Sequence, residues 1–203
     1  MYTPKSYTFT DREEMVRFMK RYSFATIITN IDRKPVATQL PFVVDVTRDR
    51  LLLSSHFALA NEQARYIEPQ QSLIIFSEPH AYISPLHYDK KESVPTWDYI
   101  SIHAYGAGKI VRGEEEKLKL LEQMISFYEP GYHQQWSELP DKFKRGMLKG
   151  IVAFEIEVEE LQGQKKLSQN KTVAERARIV EQLQQSEYGV ERDLAAYIKK
   201  VEG

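Results

Sequence analysis

The stretch Leu53-Ser54-Ser55-His56-Phe57-Ala58-Leu59-Ala60-Asn61 gathers hydroxyls, an imidazole and a carboxamide. Its pattern predicts a strand ending in the serines and histidine, then a short helix over 57–66. Amides at a helix start and the helix dipole favour negative charge, so the junction reads as an anion site. A plainer reading leaves Ser55 with only a capping role. Two further segments, Tyr82-Ile83-Ser84-Pro85 and Pro95-Thr96-Trp97-Asp98-Tyr99, place aromatics and hydroxyls at strand edges. Stacking surface beside hydrogen-bonding groups suits a planar polar ligand, with ordinary rim packing as the alternative. Lys166-Leu167-Ser168-Gln169-Asn170 is a donor-rich loop ahead of a helix, or simply a solvated turn.

Other chemistries find less support. Gly106-Ala107-Gly108-Lys109 lacks the spacing of a phosphate loop: His103 stands where the first glycine is required, and Ile110 follows the lysine. The glycines read instead as a bulge or bend in a long strand. The five histidines form no H-x-H or H-E-x-x-H pattern. With no cysteine in the chain, a thiolate nucleophile, a disulfide scaffold and an iron–sulfur cluster are all excluded.

Elements must position these groups. Thr10 and Glu13 form a capping box ahead of the stripe Met15, Phe18, Met19, Tyr22. Residues 24–31 and 36–45 predict a hairpin around Asp32-Arg33-Lys34-Pro35, and Pro41 demands an edge or a bulge. Short strands follow at 51–54, 72–76 and 81–84, then a longer one at 99–111. Helices are expected at 114–128 and 139–149, and a strand at 151–158. The tail carries a second capping box, Thr172 with Glu175, and the stripe Val190, Leu194, Tyr197, Ile198, Val201. Short strands joined by tight turns argue for a mainly β fold, a small barrel with added helices.

The 203 residues suit one domain over 1–203 with a helical C-terminal segment from about 170. Hydrophobic residues at 42% and a net charge of −1 exclude disorder and argue against a wholesale basic surface for nucleic acid, leaving room for a local basic patch. No apolar run approaches the ~20 residues that span a bilayer, and no leader is expected from the first residues. The absence of cysteine fits a reducing, cytoplasmic setting.

In order along the chain, Thr38-Gln39-Leu40-Pro41, Ser55 to Asn61, Tyr82-Ile83-Ser84-Pro85, Pro95-Thr96-Trp97-Asp98-Tyr99, His103-Ala104-Tyr105-Gly106 and Lys166-Leu167-Ser168-Gln169-Asn170 resemble the PaiB family. These are the FMN-binding negative transcriptional regulators of bacteria, named for repression of sporulation and protease-type genes. The resemblance implies an FMN-binding split β-barrel of the pyridoxamine-phosphate-oxidase type and a homodimer with flavin sites at its interface. It places the FMN phosphate near Ser55, His56 and Asn61, and the ring along Thr38, Gln39, Leu40 and Pro41. Tyr82, Ser84, Thr96, Trp97, Lys166, Ser168 and Gln169 would complete the contacts. Two positions depart from the family pattern: Glu62 follows Asn61 where proline is usual, and Asp98 stands where asparagine is common.

Three functions follow: an FMN-binding regulator with DNA as a partner, a flavin-dependent oxidoreductase in which the cofactor carries the chemistry, and a haem-binding relative using His133.

Overall fold

The first helix, α1 (Arg12–Arg21), begins one residue later than the Thr10 box implies. Asp11 caps it: the Glu14 N–H donates to Asp11 Oδ1 at 2.9 Å, and the Met15 N–H closes the first turn on the Asp11 carbonyl. Aspartate is as good a cap as threonine, and here it takes the place. The computed structural model describes residues 1–47 and 50–201; the last two residues of the expected 170–203 tail lie outside them.

The strands are β1 (Phe24–Ile31), β2 (Lys34–Pro41), β3 (Val43–Thr47), β4 (Arg50–Ala58), β5 (Gln71–Ile83), β6 (Thr96–Ile110), β7 (Ile151–Glu157) and β8 (Glu160–Lys166). The hydrogen-bonded order is β2-β1-β5-β6-β7-β4-β3, with β8 on β6, and the sheet does not close. The remaining helices are α2 (Glu114–Tyr128), α3 (His133–Glu138), α4 (Asp141–Leu148), α5 (Val173–Gln184) and α6 (Gly189–Ile198). This is the mainly β fold with added helices that the sequence predicts, a split barrel.

The chain divides into two compact units, and β5, β6 and β8 pass through both. One comprises Val16–Phe76 and His103–Leu161. Its hairpin β1–β2 turns on Asp32 and Arg33, both at positive φ, the backbone twist that two-residue hairpins favour. Pro41, at the end of edge strand β2, pairs with Phe24. The core is aromatic: Phe42, Phe57, Phe76 and Phe154 are fully buried, and the Phe57 and Phe154 rings stack with centroids 4.8 Å apart.

That packing decides the stretch after Ser55. The helix expected over 57–66 does not form. β4 continues to Ala58, paired with Ile151 of β7, and only a four-residue 3-10 turn, Glu62–Arg65, follows. Burying Phe57 against Phe154 requires the strand to run on. Gly106 and Gly108 serve close approach and not phosphate binding. A Cβ at Gly106 would lie 2.3 Å from the Glu157 carbonyl oxygen, and one at Gly108 would lie 2.4 Å from the Ile67 side chain.

The other unit comprises Met1–Met15, Ser77–Ile102 and the chain from Gln162 onward. The strands expected at 72–76 and 81–84 are one strand, β5, which runs through Pro79. β8 has no counterpart in the sequence reading; its Glu-Leu-Gln-Gly-Gln-Lys-Lys is too polar to show a strand period. The Thr172–Glu175 capping box forms with both reciprocal bonds. α5 and α6 pack together and bury Ile179, Leu183, Leu194, Ala195 and Ile198. Leu194 and Ile198 of the last apolar stripe are therefore buried within the chain, while Val190, Tyr197 and Val201 stay partly exposed.

Candidate functional site

In the Val16–Phe76 and His103–Leu161 unit, a polar chain runs inward from Asn61. Asn61 Nδ2 donates to Thr38 Oγ1 at 3.1 Å, and Thr38 Oγ1 donates to Gln63 Oε1 at 2.7 Å. Gln63 Nε2 donates to the Ile27 carbonyl and to Thr29 Oγ1, and Thr29 Oγ1 meets Ser72 Oγ at 2.8 Å. Gln63, Thr29 and Ser72 are at most 1% exposed. Asn61 also caps the 3-10 turn by accepting the Gln63 N–H. The sequence reading found Thr38 and Asn61 and missed Gln63, Thr29 and Ser72. Nothing in their types marks them, since their worth lies in contacts 25 to 43 residues apart.

The strand geometry separates other members. Side chains alternate along β4, so Ser55 and His56 face opposite sides of the sheet. Ser55 is fully buried and donates to the Pro41 carbonyl at 2.7 Å. His56 is half-buried; its Nδ1 is buried and unpartnered, and burial lowers its pKa, keeping the imidazole neutral near pH 7. On β2, Leu40 is buried on the Thr38 side, while Gln39 is exposed on the other. A cleft of about 450 Å³ is lined by Leu52 and Ser54, which share His56's side of β4.

In the other unit, Lys166 Nζ donates to Thr96 Oγ1 and to the Trp97 carbonyl. Trp97 and Tyr82, each about half exposed, meet edge to face with centroids 6.0 Å apart. His80 also meets Trp97, with centroids 6.1 Å apart. Gln169 turns back on its own loop: its Oε1 accepts the Leu167 N–H and its Nε2 donates to the Lys165 carbonyl. Ser84 Oγ accepts the Leu86 N–H and caps a 3-10 turn. Ser168, at φ 54°, donates to Asp98 Oδ2 at 2.6 Å. Asp98 is fully buried, and burial pushes its pKa up to about 6 against the pull of Ser168, Lys166 and Lys171.

The donor chemistry fits a flavin mononucleotide. Within the unit holding Asn61 and His56, neutral donors and an unpartnered imidazole nitrogen suit a phosphate or ribityl chain; within the other unit, taken by itself, exposed aromatics beside a lysine suit a polar ring system. His133, the residue set aside for haem, pairs with Ser126 Oγ at 2.7 Å on an exposed surface.

Residues 1–160 match the family described as "Putative FMN-binding domain". The chain is 38% identical over 190 residues to "Protease synthase and sporulation protein PAI 2" of Bacillus subtilis, covering 92% of this chain and 91% of that protein. Among solved structures, the FAD and heme binding protein from Mycobacterium smegmatis superposes with a TM-score of 0.61 at 14% identity, over 78% of this chain and 73% of the other. The flavocytochrome Anf3 from Azotobacter vinelandii gives a TM-score of 0.64 at 12% identity, over 81% and 72%. At those identities the structures show a shared fold. FMN is the cofactor that the matched domain takes, and by sequence the chain belongs to the PaiB family of FMN-binding proteins.

Proposed function

We propose that this protein is an FMN-carrying homodimer, one domain over 1–203, that acts in the cytoplasm as a negative regulator of transcription. The observation that carries the reading is the match to the PAI 2 protein along nine-tenths of both chains. That protein's name is "Protease synthase and sporulation protein PAI 2", and the regulatory role proposed for this chain is the one its family resemblance implies.

The bound FMN would supply reversible electron and hydride chemistry. Asn61 and His56 are the proposed holders of its phosphate and ribityl oxygens, with Ser55 fixing the backbone at Pro41. Thr38, Gln39, Leu40 and Pro41 are the proposed edge for the ring. Tyr82, Ser84, Thr96, Trp97, Lys166, Ser168 and Gln169 form a second group, each assigned on its own and testable alone. Trp97 and Tyr82 offer stacking surface, and Lys166 offers positive charge that favours an anionic ring.

Desalting after incubation with FMN, followed by an absorption spectrum, tests the cofactor. Retained flavin bands are expected; a Soret band or no visible absorption overturns the reading. FMN should bind more tightly than riboflavin, because donors reward a phosphate by roughly 1 kcal/mol or more. Sedimentation at micromolar concentration should show a dimer. A mobility shift on DNA from upstream of the protein's own gene tests the regulatory role. Absence of a shift at low salt, where such binding is strongest, removes DNA as the partner.

A further inference from the structure

We propose that Asp98 is a carboxylate latch that positions the loop 166–170, and that its ionisation loosens this loop as pH rises. Asp98 is fully buried near the start of β6. One oxygen, Oδ2, takes the Ser168 hydroxyl at 2.6 Å; the other, Oδ1, is buried with no partner. The hydroxyl of Tyr88, which lies close enough to Asp98 to feel its charge, is also buried and unpartnered. Ser168 reaches the carboxylate from a left-handed conformation, φ 54°, which a non-glycine residue holds only when its contacts insist on it.

Leaving one oxygen bare in a sealed site costs a charged carboxylate far more than a neutral carboxylic acid. Opening the loop hydrates Asp98 and returns it to an ordinary acid. The closed loop therefore prefers the protonated form and the open loop the ionised form. The groups that face Asp98 do not titrate alongside it. Ser168 is neutral, and the charges of Lys166 and Lys171 only draw the Asp98 carboxyl down against burial. Tyr88 is raised by burial, so it stays protonated. Glu175, which faces Tyr88, is held low by the Asp89 and Thr172 N–H groups. With Asp98 at about 6 in the closed state against an ordinary 3.8, opening becomes about 50-fold more favourable between pH 4 and pH 7.

The test is amide hydrogen exchange on the full chain at the Ser168 and Lys171 N–H groups, the latter bonded to the Ser168 carbonyl. Protection factors should fall by up to about 50-fold from pH 4 to pH 7, and Asp98→Asn should flatten them. Wild-type protection that is flat, or a slope that survives in Asp98→Asn, overturns the latch. The variant also separates Asp98 from His87, whose pKa burial lowers. Should Asp98→Asn fail to fold, the carboxyl ¹³C shift of wild-type Asp98 decides. A midpoint near 6 that tracks protection supports the latch, and a midpoint near 4 overturns it. One consequence rests on the flavin reading: FMN affinity, titrated over the same pH range, should weaken in step with protection. Changing protection with constant affinity upholds the latch and removes the loop from the flavin site.

Discussion

Gln63 Oε1 accepts the Thr38 hydroxyl proton at 2.7 Å, and the direction of that bond is forced. Gln63 Nε2 sits 3.2 Å from the Ile27 carbonyl oxygen, which can only accept, so the amide cannot be flipped. Thr38 must then donate inward and present only lone pairs elsewhere, one of them already taken by Asn61. A ligand reaching Thr38 has to bring an N–H or O–H.

Gln63→Leu removes the anchor of this chain and leaves the Ile27 carbonyl and the Thr38 hydroxyl without their buried partner. The expected cost is about 2–3 kcal/mol, read as a lower urea midpoint at unchanged slope. A loss below about 0.5 kcal/mol would mean that water satisfies the chain.

Gly106→Ala and Gly146→Ala should move stability in opposite directions. At Gly106 the new methyl meets the Glu157 carbonyl oxygen, which belongs to the backbone and cannot step aside. A cost of about 2 kcal/mol or more is expected. Gly146, within α4, has open space around its Cβ position, so alanine should stabilise by about 0.5–1 kcal/mol through helix propensity. Thermal melts of the two variants check the signs.

The contribution of Asp98 to stability should decline as pH rises from about 4 to about 6, read as the difference between wild type and Asp98→Asn. Asp98 has a raised pKa when folded, about 6 against 3.8, so the folded state binds the proton more tightly. Its ionisation therefore costs stability across that window, up to about 3 kcal/mol at neutral pH. Asp98→Asn should be flatter over the window and more stable at pH 7. Denaturant unfolding at pH 4, 5, 6 and 7 reads this, and equal slopes in both proteins would contradict it.

Gln169→Ala should cost about 1 kcal/mol of stability, since two loop bonds to Leu167 and Lys165 are lost. If the loop also meets FMN, Lys166→Ala and Gln169→Ala should each weaken FMN binding by roughly 1–3 kcal/mol in folded protein. Unchanged affinity in both takes these side chains out of the site.

Local rules made much of this protein legible. The Thr172–Glu175 box and the helix over 114–128 rest on contacts within a few residues, so spacing alone determined them; the hairpin was legible from its turn at 32–35, but the second strand expected over 36–45 ends at Pro41, and a separate strand, β3, starts at Val43. The glycines of Gly106-Ala107-Gly108 could be denied a phosphate role by counting, and the order of short motifs along the chain pointed to a flavin family. Tertiary structure decided what depends on distant partners. Phe57 stays in a strand because Phe154, far along the chain, stacks on it. That extension sends Ser55 and His56 to opposite sides of the sheet. β8, built from polar residues, exists because β6 offers it hydrogen bonds. Asp98 looks like any surface carboxylate until the fold buries it beneath Ser168, and Gln63 like any turn residue until Ile27 fixes its amide. Burial and hydrogen-bond direction depend on residues that come together only in the folded chain, so no local pattern can carry them.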